Sequence, residues 1–75
     1  MKECVRISGG MTPIVTDYKL LDGGKRALCL TENNIVLLAE VRYWIWRSIE
    51  ETEKYFKSCS EALWAFNTLK ETFGE

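Results

Sequence analysis

The stretch VRYWIWRS, residues 41–48, contains the residue types most suited to chemistry, because it sets two of the chain's three tryptophans between two arginines. Tryptophan, tyrosine and arginine dominate the hot spots of protein interfaces, where they combine large apolar area with a polar or charged group. This composition favours non-covalent binding through apolar burial and charge-assisted hydrogen bonds. It does not indicate bond making or breaking.

The residue types that build catalytic and metal centres are missing or dispersed. The chain contains no histidine, which excludes Ser-His and Cys-His nucleophiles, imidazole ligands and the commonest general base near neutral pH. Cys4, Cys29 and Cys59 lie too far apart for a zinc ligand pair. The acidic run EETE at 50–53 is typical of a solvated turn or helix start rather than a cation site, and neither glycine pair fits a phosphate-loop pattern. We expect no enzyme activity, no metal and no cofactor.

The composition predicts a single folded domain over residues 1–75, since 47% of the residues are hydrophobic and 12% aromatic. Cysteines without close spacing favour free thiols in a reducing compartment. Residues 1–8 lack the apolar core of a secretory signal, and no apolar run approaches the ~20 residues of a membrane helix. We therefore expect a cytoplasmic location and no membrane contact.

Alternating apolar and polar residues predict strands over most of the first two thirds of the chain. Three breakers separate them: GGMTP at 9–13, DGG at 22–24 and ENN at 32–34. Asp-Gly between two such runs favours a tight hairpin. The predicted strands are KECVRIS, IVTDYKLL, KRALCLT and a long run from Ile35 to Trp46. A helix over that last run is the alternative, but it would place Arg42 in the apolar stripe, and the β-branched and aromatic crowding favours a strand.

The last third predicts a helix from about residue 59 to 73. Ser58 and Glu61 form a capping box, and an apolar stripe follows, made by Ala62, Ala65, Phe66, Leu69 and Phe73. Residues 48–57 allow two interpretations: a short strand returning antiparallel to RYWIWR, which we favour, or an extension giving one helix from 49 to 73. Both predict the same fold class, an α+β domain whose antiparallel, meander-like sheet of four to five strands packs on one C-terminal helix.

One helix can cover one face of such a sheet, and the odd-numbered face of residues 35–46 is apolar throughout. Trp44 and Trp46 would then stand beside Arg42 on the uncovered face. Two tryptophan side chains would expose roughly 300–500 Å² of surface, which is as much as the largest apolar patch usual on a monomer. Three covers are possible: the N-terminal segment or a curled sheet of the same chain, a second copy in a homodimer, or a different protein.

Trp64 is offset from the apolar stripe of the predicted helix, so it either flanks the core or forms a second contact point. The sequence thus predicts a set of partner-binding residues: Arg42, Trp44, Trp46, Arg47 and Trp64.

These residues predict a small, non-enzymatic protein-binding module of accessory, regulatory or inhibitor type, which we expect to be a homodimer. In size and composition it is similar to accessory proteins of phages and other mobile elements. The alternative is single-stranded nucleic-acid binding, since a sheet followed by one helix is similar in outline to the Whirly-like single-strand binders. Arg42, Arg47, Arg26 and Lys25 would then meet phosphates, although the net charge of −1 disfavours that partner.

Overall fold

A computed structural model describes residues 3–43 and 45–73. The first strands follow the predicted alternation and are separated by the predicted breakers. They are β1 (Val5–Arg6), β2 (Val15–Leu21), β3 (Arg26–Thr31) and β4 (Ile35–Glu40). A 3₁₀ turn, Asp22–Gly24, joins β2 to β3, and Gly24 there has a φ of 96°. Such a backbone conformation favours glycine, so the DGG turn is confirmed.

The second half contains the predicted helix and two short strands. The elements are β5 (Trp46–Ser48), a 3₁₀ turn (Glu50–Thr52), β6 (Lys54–Tyr55) and α1 (Cys59–Thr72). The hydroxyl of Ser58 accepts a hydrogen bond from the backbone N–H of Glu61 at 3.2 Å, which confirms the helix start. The alternative of one helix from residue 49 is wrong, because β6 interrupts it.

The predicted strand from Ile35 to Trp46 is wrong in its length. Twelve extended residues would span about 40 Å, whereas the protein measures 30 × 30 × 26 Å along its principal axes. The chain instead reverses after Glu40 and returns as β5, antiparallel to β4. The short strand β6 was predicted to pair with RYWIWR. It pairs instead with the first residues of β4, Ile35 and Val36.

The sheet is mixed, which corrects the prediction of a purely antiparallel one. Its order is β1-β5-β4-β3-β2, with β6 also on β4. β2, β3 and β4 form the expected antiparallel meander, and a bridge between Cys4 and Ile14 joins the start of β1 to the start of β2. The sheet therefore curls back on itself at one end. A ring of five strands cannot alternate direction all the way round, so one neighbouring pair must be parallel, and that pair is β1 with β5.

Both faces of the curled sheet are packed. The inner face encloses Val5, Ile7, Val15, Ala27, Cys29, Ile35, Leu37, Ala39 and Trp46. On the outer face, sheet residues meet the helix in a second cluster, made by Leu28, Leu30, Val36, Ala62, Ala65 and Phe66. The odd-numbered positions of β4 thus face the inside of the curl and the even-numbered ones face the helix, the reverse of our expectation. In the part of the chain described here, no helix is long and apolar enough to cross a membrane.

Candidate partner-binding surface

Trp46 lies inside the protein. Its side chain is 7% exposed and meets the ring of Tyr18 edge-on, with 5.1 Å between the ring centroids. The expectation that Trp46 stands on an uncovered face is therefore wrong, because the curl of the sheet supplies a cover that one helix could not. Trp44, the other tryptophan of that stretch, lies outside the described residues.

The structure brings Arg42 and Arg47 together with an arginine that sequence reasoning did not select, Arg6. Strand register places Glu40 beside Arg47, and Arg47 beside Arg6. Glu40, Arg47 and Arg6 therefore form a row on one face of the sheet, because paired residues project from the same face. That face is the outer one, since the residue before each of them in its strand points into the inner cluster. The alternation in KECVRIS predicts that Arg6 projects from the face opposite Val5. It does not predict that Arg6 lies beside Arg47, which follows only from the pairing of β1 with β5.

Two ion pairs stand beside this row. Arg42 Nη2 lies 2.5 Å from Glu40 Oε1, and Arg26 Nε lies 2.5 Å from Asp22 Oδ2. All four side chains are close to half exposed, so each pair contributes at most about 1 kcal/mol. Within residues 3–43 and 45–73, no carboxylate forms an ion pair with Arg6 or with Arg47.

The arginines line an open cavity, which we call the arginine pocket. Its volume is about 340 Å³ and its lining residues are Arg6, Arg42, Ile45 and Arg47. A neighbouring hollow of about 380 Å³ shares Arg42 and is lined further by Asp22, Lys25, Arg26, Glu40 and Val41. These two hollows hold five basic and two acidic side chains, a net charge of +3. The remaining five basic and nine acidic residues of the chain carry −4, so the protein has one basic end.

Trp64 occupies the outward face of α1. It is 70% exposed and lies two residues beyond Ala62, a step of about 200° around a helix from a fully buried position. Trp64 therefore does not flank the core. Together with Phe56, Ser60 and Glu61 it lines an open groove of about 440 Å³, which we call the Trp64 groove.

A hydrogen-bond hub at Glu53 fixes the two strands that carry the arginine pair. Its carboxylate accepts from the Ser48 hydroxyl at 2.6 Å, from the Tyr55 hydroxyl at 2.6 Å, and from both the backbone N–H and the hydroxyl of Ser8. Burial alone would raise the pKa of Glu53, but the hydrogen bonds from Ser48, Tyr55 and Ser8 outweigh it and lower the pKa to about 2. Sequence reasoning missed this hub, because it joins residues that are 45 positions apart.

The three cysteines differ in their burial. Cys29 is buried in the inner cluster, and burial raises the pKa of its thiol to about 12, which keeps the thiol protonated. Cys4 is half-buried and Cys59 exposed, and all three are free. The described residues thus present two surface features, the arginine pocket with three guanidinium groups and the Trp64 groove with an exposed indole.

Comparison of the chain with protein-family models, with curated proteins and with solved structures finds no match.

Proposed function

We propose that this protein is a small, non-enzymatic protein-binding module of accessory, regulatory or inhibitor type, and that it contacts its partner through the helix-bearing side of the curled sheet. The observation that carries the proposal is Trp64, a tryptophan 70% exposed on the outward face of α1. Tryptophan is the residue type most enriched at interface hot spots, and its position beside an open groove lets a partner side chain pack against it.

The energetic argument rests on area. A tryptophan buries about 150–250 Å² when fully covered, so covering the exposed part of Trp64 removes roughly 100–170 Å² from water. At ~25 cal/mol per Å² this stabilises a complex by about 3–4 kcal/mol before association costs. A domain of 75 residues has a stability of only about 4–11 kcal/mol. The free energy available from covering Trp64 is thus a large fraction of the net stability of the domain.

The partner is a second copy or a different protein. In the first form Trp64 packs helix against helix, which gives the homodimer expected from the sequence. In the second form the same groove receives an apolar side chain of another protein. Free thiols, including the exposed Cys59, support a location in a reducing compartment, and we propose the cytoplasm.

Single-stranded nucleic-acid binding is the weaker proposal. That function uses an open sheet face on which bases stack against aromatic side chains. Here α1 packs on the outer face of the sheet, and the inner face curls around its own side chains. The net charge of −1 adds no long-range attraction to phosphates.

The experiment compares wild type with Trp64→Ala and with a matched control, Met11→Ala, which removes an exposed apolar side chain from the loop before β2. Sizing with light scattering first measures self-association. Immobilised proteins then capture partners from lysate, and mass spectrometry identifies them. A homodimer or one specific partner that persists with Met11→Ala and disappears with Trp64→Ala supports the proposal. An equal loss with both variants, or no loss with either, contradicts it.

A further inference from the structure

The outer face of the sheet places two like charges side by side. Arg6 and Arg47 are register partners on neighbouring parallel strands, and such strands lie about 4.8 Å apart. Both side chains are exposed. Like charges at facing positions of a sheet are destabilising, so this pair works against folding in the unbound protein.

The charges of the pair are only partly offset by the described residues. The nearest carboxylate in the row, that of Glu40, is held by Arg42 at 2.5 Å. In residues 3–43 and 45–73, neither Arg6 nor Arg47 has an ion-pair partner. Two guanidinium groups that share one open pocket, and that form no ion pair within residues 3–43 and 45–73, are suited to a ligand with negative charge.

The pocket is held rigidly by what lies beneath it. Val5 and Trp46, the neighbours of the two arginines along their strands, are buried in the inner cluster. The Glu53 hub ties the ends of the same strands together through Ser8 and Ser48. The backbone that presents the arginines is therefore already in place before a ligand arrives, which lowers the entropic cost of binding.

We propose that the arginine pocket binds side-chain carboxylates of an acidic segment on the protein partner. This inference rests on the proposed function and names the chemistry of the partner. Guanidinium groups match carboxylates in a bidentate geometry, and Ile45 in the lining offers apolar contact for the methylene groups of glutamate. Glu40 stands next to Arg47 in the row and repels a phosphate dianion more strongly than a carboxylate. A nucleic acid is further disfavoured because apolar clusters pack on both faces of the sheet and reduce the surface open to base stacking.

The test measures the binding of fluorescently labelled hexaglutamate by anisotropy at low salt. Hexaglutamine, inorganic phosphate and a single-stranded oligonucleotide are the competing probes. The variants are Arg6→Gln and Arg47→Gln, and the matched control is Lys54→Gln, which removes one exposed positive charge at the opposite end of β4. We expect each arginine variant to weaken hexaglutamate binding about threefold to fivefold, since the loss of one exposed ion pair corresponds to at most roughly that factor, and the control to weaken it less than twofold.

Thermal melts of the same variants separate binding from folding. Because each arginine substitution removes a like-charge contact, the unbound variants should melt at or above the wild-type temperature while binding is weakened. Equal weakening by all three variants contradicts the inference, as does tighter binding of phosphate or of the oligonucleotide. Met11→Ala, whose exposed side chain lines neither the arginine pocket nor the Trp64 groove, should leave hexaglutamate binding unchanged. If wild type does not bind hexaglutamate, the proposed acidic ligand is wrong but the protein-binding function is untouched. If Trp64→Ala and Met11→Ala do not differ in partner binding, the protein-binding function itself is contradicted.

Discussion

Substitution of Trp46 tests whether the inner cluster of the curled sheet packs as described. The indole is 7% exposed and meets Tyr18 edge-on inside the curl. Removing a buried tryptophan side chain costs about 3–5 kcal/mol, against a total stability of about 4–11 kcal/mol for a chain of this length. Trp46→Ala should therefore remove between about a quarter and all of the stability. Trp46→Phe keeps most of the apolar volume and should cost about 1–2 kcal/mol.

The measurement is urea denaturation followed by far-ultraviolet circular dichroism. For a domain of this size, a loss of 1 kcal/mol lowers the melting temperature by about 4–8 °C, so the effect of Trp46→Phe is resolvable in a thermal melt as well. The matched control is Trp64→Phe on the outward face of α1, which should change stability by less than about 0.5 kcal/mol. A Trp46→Ala variant that melts like wild type would refute the buried placement of Trp46 and return that residue to the partner surface.

Three further predictions concern the hub, the helix start and the thiols. Glu53→Gln should destabilise the protein by about 1–2 kcal/mol at neutral pH. Because folding lowers the pKa of Glu53 from 4.5 to about 2, wild type should lose this stability as the pH falls from about 4.5 toward 2. In denaturant melts across that pH range, the stability of the variant should change less with pH. Ser58→Ala removes the bond from the hydroxyl to the Glu61 N–H and should cost about 1 kcal/mol in chemical denaturation; no change would mean that the cap is unimportant. A thiol reagent at neutral pH should label the exposed Cys59 at once and the buried Cys29 only on unfolding, as peptide mass spectrometry can check; equal rates would contradict the burial of Cys29.

Local features of this fold could be predicted from the sequence because each is encoded by adjacent residues. The Asp-Gly turn requires residues that tolerate positive φ, and Asp22 and Gly23 have φ values of 53° and 67°. The turn before β4 likewise places Asn34 at a φ of 65°. The helix start depends on one hydroxyl and on a backbone amide three residues later. None of these features needs knowledge of the rest of the chain.

Features that depend on closure of the sheet could not be predicted in this way. Whether Trp46 lies inside or outside follows from the bridge between Cys4 and Ile14 and from the parallel pairing of Val5 with Trp46. The pairing of Val5 with Trp46 joins residues far apart in sequence, and the alternation within a strand does not identify the strand with which it pairs. The pairing of Arg6 with Arg47 could not be predicted for the same reason. The sequence therefore indicated which residue types form the arginine pocket but not how they are arranged.

The closure also determines where a binding surface can be. A strand pattern that is apolar on one face and mixed on the other suggests an open sheet with a bare side. In this protein the curl covers much of the inner face and α1 covers part of the outer face, while the arginine row on the outer face stays exposed. The contacts that we propose with a partner therefore come from two exposed margins: the outward face of α1, where Trp64 stands, and the end of the sheet, where the arginines meet. Side chains at these margins contribute little to either packed layer, so their substitution should change binding while the melting temperature stays near that of wild type.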